Sequence, residues 1–245
     1  MRYVALSFDL DGTLVDTAAE IAGAANLTLE DFALPRQHDE LIARLIGGGA
    51  RELMQKLLAH LRAEAPTRPL PAIDALFARF EDHYVASAGT IAQPFPRCAD
   101  ALQQLRDAGL RMVCVTNKEV RFARRVLQGS GIDAFFEMLV GGDSLRHRKP
   151  HRGVIDHVLK HLDCRPEALA HVGDSRIDVA SARSAGVAAW VVRHGYEAAE
   201  AIEAAAPDRI FDDLAQVAAF VLAVNASCAS DHTSAHTARP ARSDR

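Results

Sequence analysis

The sequence predicts an α/β fold: a parallel sheet covered on both faces by helices, with a small helical domain inserted behind its first strand. Three observations carry this reading. Short apolar or β-branched runs alternate with helical patterns over the second half of the chain, and strands that alternate with helices assemble into a parallel sheet through right-handed crossovers. Several of those helical patterns stop at a glycine, where a left-handed C-cap is needed. The long interval after the first strand carries helical spacing and no convincing strand.

The first strand is the apolar run at residues 3–8. Helices follow at 17–29, 39–45, 50–63 and 72–87, with apolar residues at helical spacing such as Leu53, Leu57, Leu58 and Leu61. Pro35, the Gly47-Gly48-Gly49 run and the proline-rich stretch 66–71 separate them. A helix at 100–108 then ends at Gly109 and leads into a strand at 111–115. The same unit recurs three times. A helix at 120–128, stopped by Gly129 and Gly131, precedes a strand at 136–140. A helix at 151–162 precedes a strand at 169–172, and a helix at 178–185, stopped by Gly186, precedes a strand at 188–192. A last strand is expected at 208–211. The expected division is therefore a core of residues 1–15 and 92–224, a helical domain of 16–91, and a tail of 225–245. That tail is rich in Ser, Ala, Thr and His and poor in large apolar residues, so it is expected to be disordered.

Composition removes several function classes. Lys and Arg number 28 against 32 Asp and Glu, a net charge of −4, so no bulk basic surface points to nucleic acid. No window approaches the roughly 18–20 apolar residues of a membrane span. The N-terminal apolar run is too short for a signal-peptide core. The four cysteines are widely spaced with no CxxC, which argues against a disulfide framework. A reduced, cytoplasmic protein is expected.

The chemically distinctive residues all fall just past the carboxyl ends of expected parallel strands, where open α/β sheets bind their ligands. Strand one runs into Asp9-Leu10-Asp11-Gly12-Thr13, strand two into Thr116-Asn117, strand three reaches Lys149-Pro150 after a loop, and strand four runs into Gly173-Asp174-Ser175 and then Asp178. Clustered carboxylates repel and drive one another to protonate unless a cation is present. Oxygen ligands short of positive charge suit Mg²⁺. Asp178 also completes an S-x-x-D capping box with Ser175, and it can both cap the helix and hold Lys149 or a metal-bound water. A carboxylate nucleophile, a cation, hydroxyl and amide donors and a fixed lysine are the parts of phosphoryl transfer. The other phosphate cradles, GxxxxGK[ST] and GxGxxG, are absent.

These four segments, in this order and spacing, resemble the haloacid dehalogenase-like hydrolase superfamily over residues 1 to about 222. The resemblance implies a Rossmann-like core with an inserted α-helical cap, and Mg²⁺ dependence. It implies Asp9 as nucleophile, Asp11 as general acid/base, and Lys149 as a further catalytic group. Mg²⁺ would be held by Asp9, the Asp11 backbone carbonyl and Asp174, with Asp178 and Ser175 in support. Gly12, Thr13, Thr116, Asn117 and Lys149 would bind the phosphoryl group. An acid at position 11 favours phosphatases over dehalogenases, because a leaving alkoxide needs a proton and a halide does not.

Finer segments, including Leu45-Ile-Gly-Gly-Gly-Ala-Arg51 and Val115-Thr-Asn-Lys118, are similar to phosphoglycolate phosphatases. In them Arg51 would meet a substrate carboxylate. Val120-Arg-Phe-Ala123 also resembles phosphatases acting on a phosphorylated amino sugar such as N-acetylmuramic acid 6-phosphate. His151-Arg152-Gly153 departs from the usual continuation after Lys149-Pro150. A small phosphorylated metabolite is the expected partner, with the protein a monomer or homodimer. A sugar-phosphate mutase and a non-catalytic phospho-ligand binder remain the alternatives.

Overall fold

The computed structural model describes residues 2–234. Six parallel strands form the main sheet: β1 (Ala5–Phe8), β4 (Arg111–Val115), β5 (Met138–Val140), β6 (Leu169–Gly173), β7 (Ala188–Val192) and β8 (Arg209–Phe211), in the order β5-β4-β1-β6-β7-β8. β1 is central. It pairs Phe8 with Cys114 of β4 on one side and with Val172 of β6 on the other. All four β1 residues are buried, as a parallel strand covered on both faces requires.

The two-residue period of β1 feeds two separate cores. Leu6 and Phe8 join Met112, Cys114 and Trp190 beneath α5 (Cys98–Asp107) and α10 (Leu214–Ser234). Ala5 joins Val113, Val115, Val154, Val158 and Val179 on the opposite face, beneath α7 (Arg152–Leu162) and α8 (Arg176–Ser184). α6 (Val120–Gly129) and α9 (Ala199–Ala205) complete the layers.

The expected helical insert is present as α1 (Ala18–Asp31), α2 (Asp39–Ala43), α3 (Ala50–Glu64) and α4 (Ile73–Ser87). Pro35, the glycine run and the prolines fall between these helices. The insert has its own core of Ile21, Ile42, Leu53, Met54, Leu57, Leu76, Phe80 and Tyr84, and Phe122 of α6 packs into it. Its two connections to the sheet are bound to each other: β2 (Val15–Asp16) pairs antiparallel with β3 (Gln93–Pro94). The second connection is also clamped by Glu20 of α1. That carboxylate is 2% exposed and accepts the backbone N–H groups of Gly89, Thr90, Ile91 and Ala92 at 2.7–3.0 Å.

One expectation is corrected at the C-terminus. The chain does not lose structure at 225, because α10 continues to Ser234. Alanines at 223, 226 and 229 favour helix. Asn225 also holds the helix to the sheet, accepting the Tyr3 N–H at 2.9 Å and donating to the Tyr3 carbonyl at 2.8 Å. Residues 235–245 of the expected tail lie outside the described residues. Among the described residues, no helix is long and apolar enough to cross a membrane.

Candidate active site

Asp9 leaves β1 with its N–H still donating to the Val172 carbonyl of β6 at 2.9 Å, so the sheet ladder fixes the backbone beneath it. The chain then turns through Gly12, whose φ of +80° is a left-handed value that disfavours any side chain. A Cβ at Gly12 would also strike the Asp174 carboxylate. Glycine here therefore lets Asp174 approach the first loop. Thr13 donates to Asp174 Oδ1 at 3.2 Å, and the Tyr196 N–H donates to Oδ2 at 2.9 Å.

Asp9, Asp174 and Asp178 bring one carboxylate oxygen each to within 4.8 Å of the others, and all three are buried. Lys149 enters this cluster with its side chain 1% exposed, its Nζ 2.7 Å from Asp178 Oδ1 and 3.0 Å from Asp9 Oδ1. The Asp178 carboxylate is fully engaged. Its Oδ1 also faces His171 Nε2 at 3.2 Å, and its Oδ2 accepts from the Ser175 N–H and hydroxyl at 3.1 and 2.6 Å. Asp178 thus caps α8 and anchors Lys149 at once, the dual role its spacing suggested. His171 is held in turn by Ser7 at 2.9 Å.

The charges follow from this packing. Burial raises Asp9 to about 6; Lys149 opposes the rise, while Asp178 and Asp11 add to it. Burial likewise raises Asp174, with the Asp178 and Asp9 charges adding to the shift. Burial works the same way on Asp178, but Lys149 and His171 overcome it and hold the group below the usual carboxylate range. Burial disfavours the Lys149 charge, yet Asp178 and Asp9 keep it above the ordinary lysine value.

Three carboxylates around one ammonium leave net negative charge in a buried space. Asp9 Oδ1, although close to Lys149, makes no hydrogen bond of normal geometry. An oxygen-rich, negatively charged pocket of this kind fits a hard divalent cation.

Asp11 lies across the site, accepting from Thr17 Oγ1 at 2.6 Å and from Lys118 Nζ at 2.8 Å on each carboxylate oxygen. Thr116 and Asn117 stand at the end of β4, both buried. Asn117 Nδ2 donates to the Lys149 carbonyl at 3.0 Å and to the Gly47 carbonyl of the insert at 2.9 Å, which ties the insert down over the strand ends. A cavity between sheet and insert is walled by Asp9, Asp11, Thr116, Asn117, Lys118 and Glu119 from the core, and by Ile21, Gly47, Leu53, Phe80 and Tyr84 from the insert.

The structure therefore gathers Asp9, Asp11, Thr116, Asn117, Lys149, Asp174, Ser175 and Asp178 at one edge. Gly12 and Thr13 are adjacent but already committed. The Gly12 N–H donates to Val15, the Thr13 N–H to Leu10 and the Thr13 hydroxyl to Asp174, so both shape the loop rather than face the cavity. Arg51 is not brought in. It is exposed, pairs with Asp74 and lies 5.5 Å from the Phe77 ring centre. Ala50 and Leu53 are the α3 residues that line the cavity, and Arg51 lies about 100° around the helix from Ala50.

Three further residues build the site without having been singled out as functional. Lys118 holds Asp11; it stood at the end of the Val115-Thr-Asn-Lys118 segment of the resemblance, without a role of its own. His171 supports Asp178, and a polar residue inside the buried run Leu169-Ala-His-Val was visible. Tyr196, whose hydroxyl accepts the Thr17 N–H at 2.8 Å, gave no signal.

A family model described as haloacid dehalogenase-like hydrolase matches residues 6–192. The chain is 35% identical over 223 residues to a phosphoglycolate phosphatase of Salmonella typhimurium, spanning 84% of this chain and 88% of that protein. It is 34% identical over 225 residues to a phosphoglycolate phosphatase of Escherichia coli K12, spanning 85% and 88%. A crystal structure described as a predicted phosphoglycolate phosphatase from Haemophilus somnus superposes with a TM-score of 0.84 at 30% identity, covering 89% of this chain and 97% of that one. With a buried carboxylate cluster at the carboxyl edge of a parallel sheet, a helical insert closed over it and these relatives, the chain belongs to the haloacid dehalogenase-like hydrolases.

Proposed function

We propose that this hydrolase is a Mg²⁺-dependent phosphomonoesterase working through an aspartyl-phosphate, with 2-phosphoglycolate as substrate. The observation that carries the chemistry is Asp9: a carboxylate on a rigid strand end, backed by Lys149, facing Asp11 across the cavity. The substrate comes from the relatives, which are named phosphoglycolate phosphatases.

The reaction takes two displacements at phosphorus. An Asp9 oxygen attacks phosphorus while the ester P–O bond breaks. Asp11 enters this step carrying a proton, gives it to the departing alkoxide and is left as the carboxylate that Lys118 pairs with. Asp11 then takes a proton from water as that water's oxygen attacks the aspartyl-phosphate. The second displacement frees phosphate and restores Asp9. The Thr116 hydroxyl, the Asn117 backbone N–H and the Lys149 ammonium meet the non-bridging oxygens. Asp9 and Asp174, with the Asp11 carbonyl, would hold Mg²⁺, since both Asp178 oxygens are occupied by Lys149, His171 and Ser175. When bound, the ion neutralises phosphoryl charge.

The test is phosphate release from a panel of phosphomonoesters that includes 2-phosphoglycolate and N-acetylmuramic acid 6-phosphate, ranked by kcat/KM. The expected result is 2-phosphoglycolate at the top with no bisphosphate activator required. A higher rank for the amino-sugar phosphate would move the substrate, and release from none of them would remove the phosphatase reading.

The metal has its own readout. An ionised Asp9 burdens the fold above pH 6, where its raised folded-state pKa leaves it charged, and the burden fades as pH falls through that value. Mg²⁺ added to the metal-free protein is therefore expected to raise Tm more at pH 7.5 than at pH 5.0. Equal shifts at both values would place the ion away from Asp9.

A further inference from the structure

With Arg51 turned away, the cavity needs another group if the substrate carries a second negative charge. We propose that Lys118 is the specificity-determining residue, its ammonium binding a carboxylate on the leaving-group side of a small phosphomonoester. The proposal rests on the phosphatase reading above and deepens it by assigning the recognition of the substrate's second anion.

Four observations point to Lys118. It is 7% exposed and lies on the cavity wall, where it is the single cation among the described lining residues, against the carboxylates of Asp9, Asp11 and Glu119. Lys149, the other buried lysine of the site, lies between Asp9 and Asp178 and serves the phosphoryl group in the reading above, so it is not placed for a second anion. An ammonium has three donors. Two of those on Lys118 reach the oxygens of Asp11 at 2.8 Å each, and the third, on the Tyr84 side, can turn to a ligand without breaking the pair.

The surroundings would restrict what that donor receives. Ile21, Leu53, Phe80 and Phe122 make the wall beside it apolar, and the Tyr84 ring centre lies 4.9 Å from Nζ. The Tyr84 hydroxyl is buried and makes no hydrogen bond of normal geometry, although Lys118 is near. A carboxylate in reach of both would accept one hydrogen bond from each, from the Lys118 ammonium and from the Tyr84 hydroxyl. In a low-dielectric pocket a neutral group of the same size gains much less from the ammonium.

Spacing sets the size of the ligand. Lys118 Nζ lies 2.8 Å from each oxygen of Asp11, the group that serves the leaving oxygen in the reading above. The second anion therefore sits close to the phosphoryl group, within the reach of a two- or three-carbon acid and too near for the far end of a long sugar phosphate.

The experiment compares kcat/KM for 2-phosphoglycolate with that for 2-hydroxyethyl phosphate, which replaces the carboxylate by an alcohol. The wild type is expected to favour the carboxylate by about 10- to 100-fold, the range of a buried charge-assisted bond. Lys118→Met should erase most of that preference, and Lys118→Arg should keep part of it. Loss of Asp11's partner lowers the rate on both substrates, so the ratio is the quantity read. A ratio in Lys118→Met equal to that of the wild type would overturn the proposal and reduce Lys118 to a support for Asp11. A wild type that hydrolyses both esters equally would overturn it with no variant needed, leaving the phosphatase reading intact; a wild type inactive on both would remove that reading itself.

Discussion

Asp9→Asn is expected to lower kcat on 2-phosphoglycolate by about 10⁴-fold or more, the scale on which loss of a covalent nucleophile is felt. An amide oxygen does not displace an alkoxide from phosphorus at neutral pH. The change is otherwise mild. Asparagine keeps the shape of the side chain and an oxygen for Lys149, and it removes one of the carboxylates whose burial is costly. Thermal unfolding of the metal-free variant should therefore be at or above that of the wild type, and substrate should still bind in equilibrium dialysis. Activity surviving above about one per cent of wild type would mean that water attacks phosphorus directly and that Asp9 is not phosphorylated.

Lys149→Met should damage both rate and fold. Its side chain is 1% exposed and joins Asp9 to Asp178, so removing the charge strands buried carboxylates with no ammonium among them. Breaking a buried pair in this way costs about 3–5 kcal/mol. The loss should be largest at neutral pH. Asp178 is held below the usual carboxylate range in the native protein, so its contribution to stability is present above the unfolded-state value near 3.9 and disappears as pH falls below it. In the variant the carboxylates gain protons at higher pH than in the wild type. The gap in urea midpoint between the two proteins should narrow from pH 7.5 to pH 5.0. The rate should fall about 10³-fold, because a preorganised cation facing the transferring phosphoryl group is lost. A variant as stable as the wild type at pH 7.5 would show that the carboxylates are relieved by something other than Lys149.

Much of the site was legible because it depends on short spacing at strand ends. Asp9 and Asp11 flank one residue, Ser175 and Asp178 sit at capping-box distance, and the strands that carry them announce themselves by apolar runs. The sheet then brings those ends together whatever else the chain does. The position of Arg51 was not legible, for the opposite reason. The side of α3 that meets the cavity is decided by how Leu53, Met54 and Leu57 pack within the insert, and that packing sends Arg51 to Asp74. The roles of Lys118 and Tyr196 likewise depend on partners far away in sequence, Asp11 and Asp174. At the C-terminus, a composition poor in large apolar residues suggested disorder, but the sequence there is alanine-rich, the helix continues, and Asn225 bonds to Tyr3 far away in sequence.

The grip of Glu20 on four successive N–H groups bears on how substrate enters. Residues 89–92 are fastened to α1 and must travel with it, so they cannot serve as a flexible joint. The covalent connections to the sheet run through the two-residue ribbon of β2 and β3, with the Tyr196 hydroxyl holding the start of α1 beside it at Thr17 and Ala18. For the four helices to lift off the strand ends, Phe122 would have to leave their apolar core and the Gly47–Asn117 bond would have to break, so packing as well as that bond resists the entry of substrate.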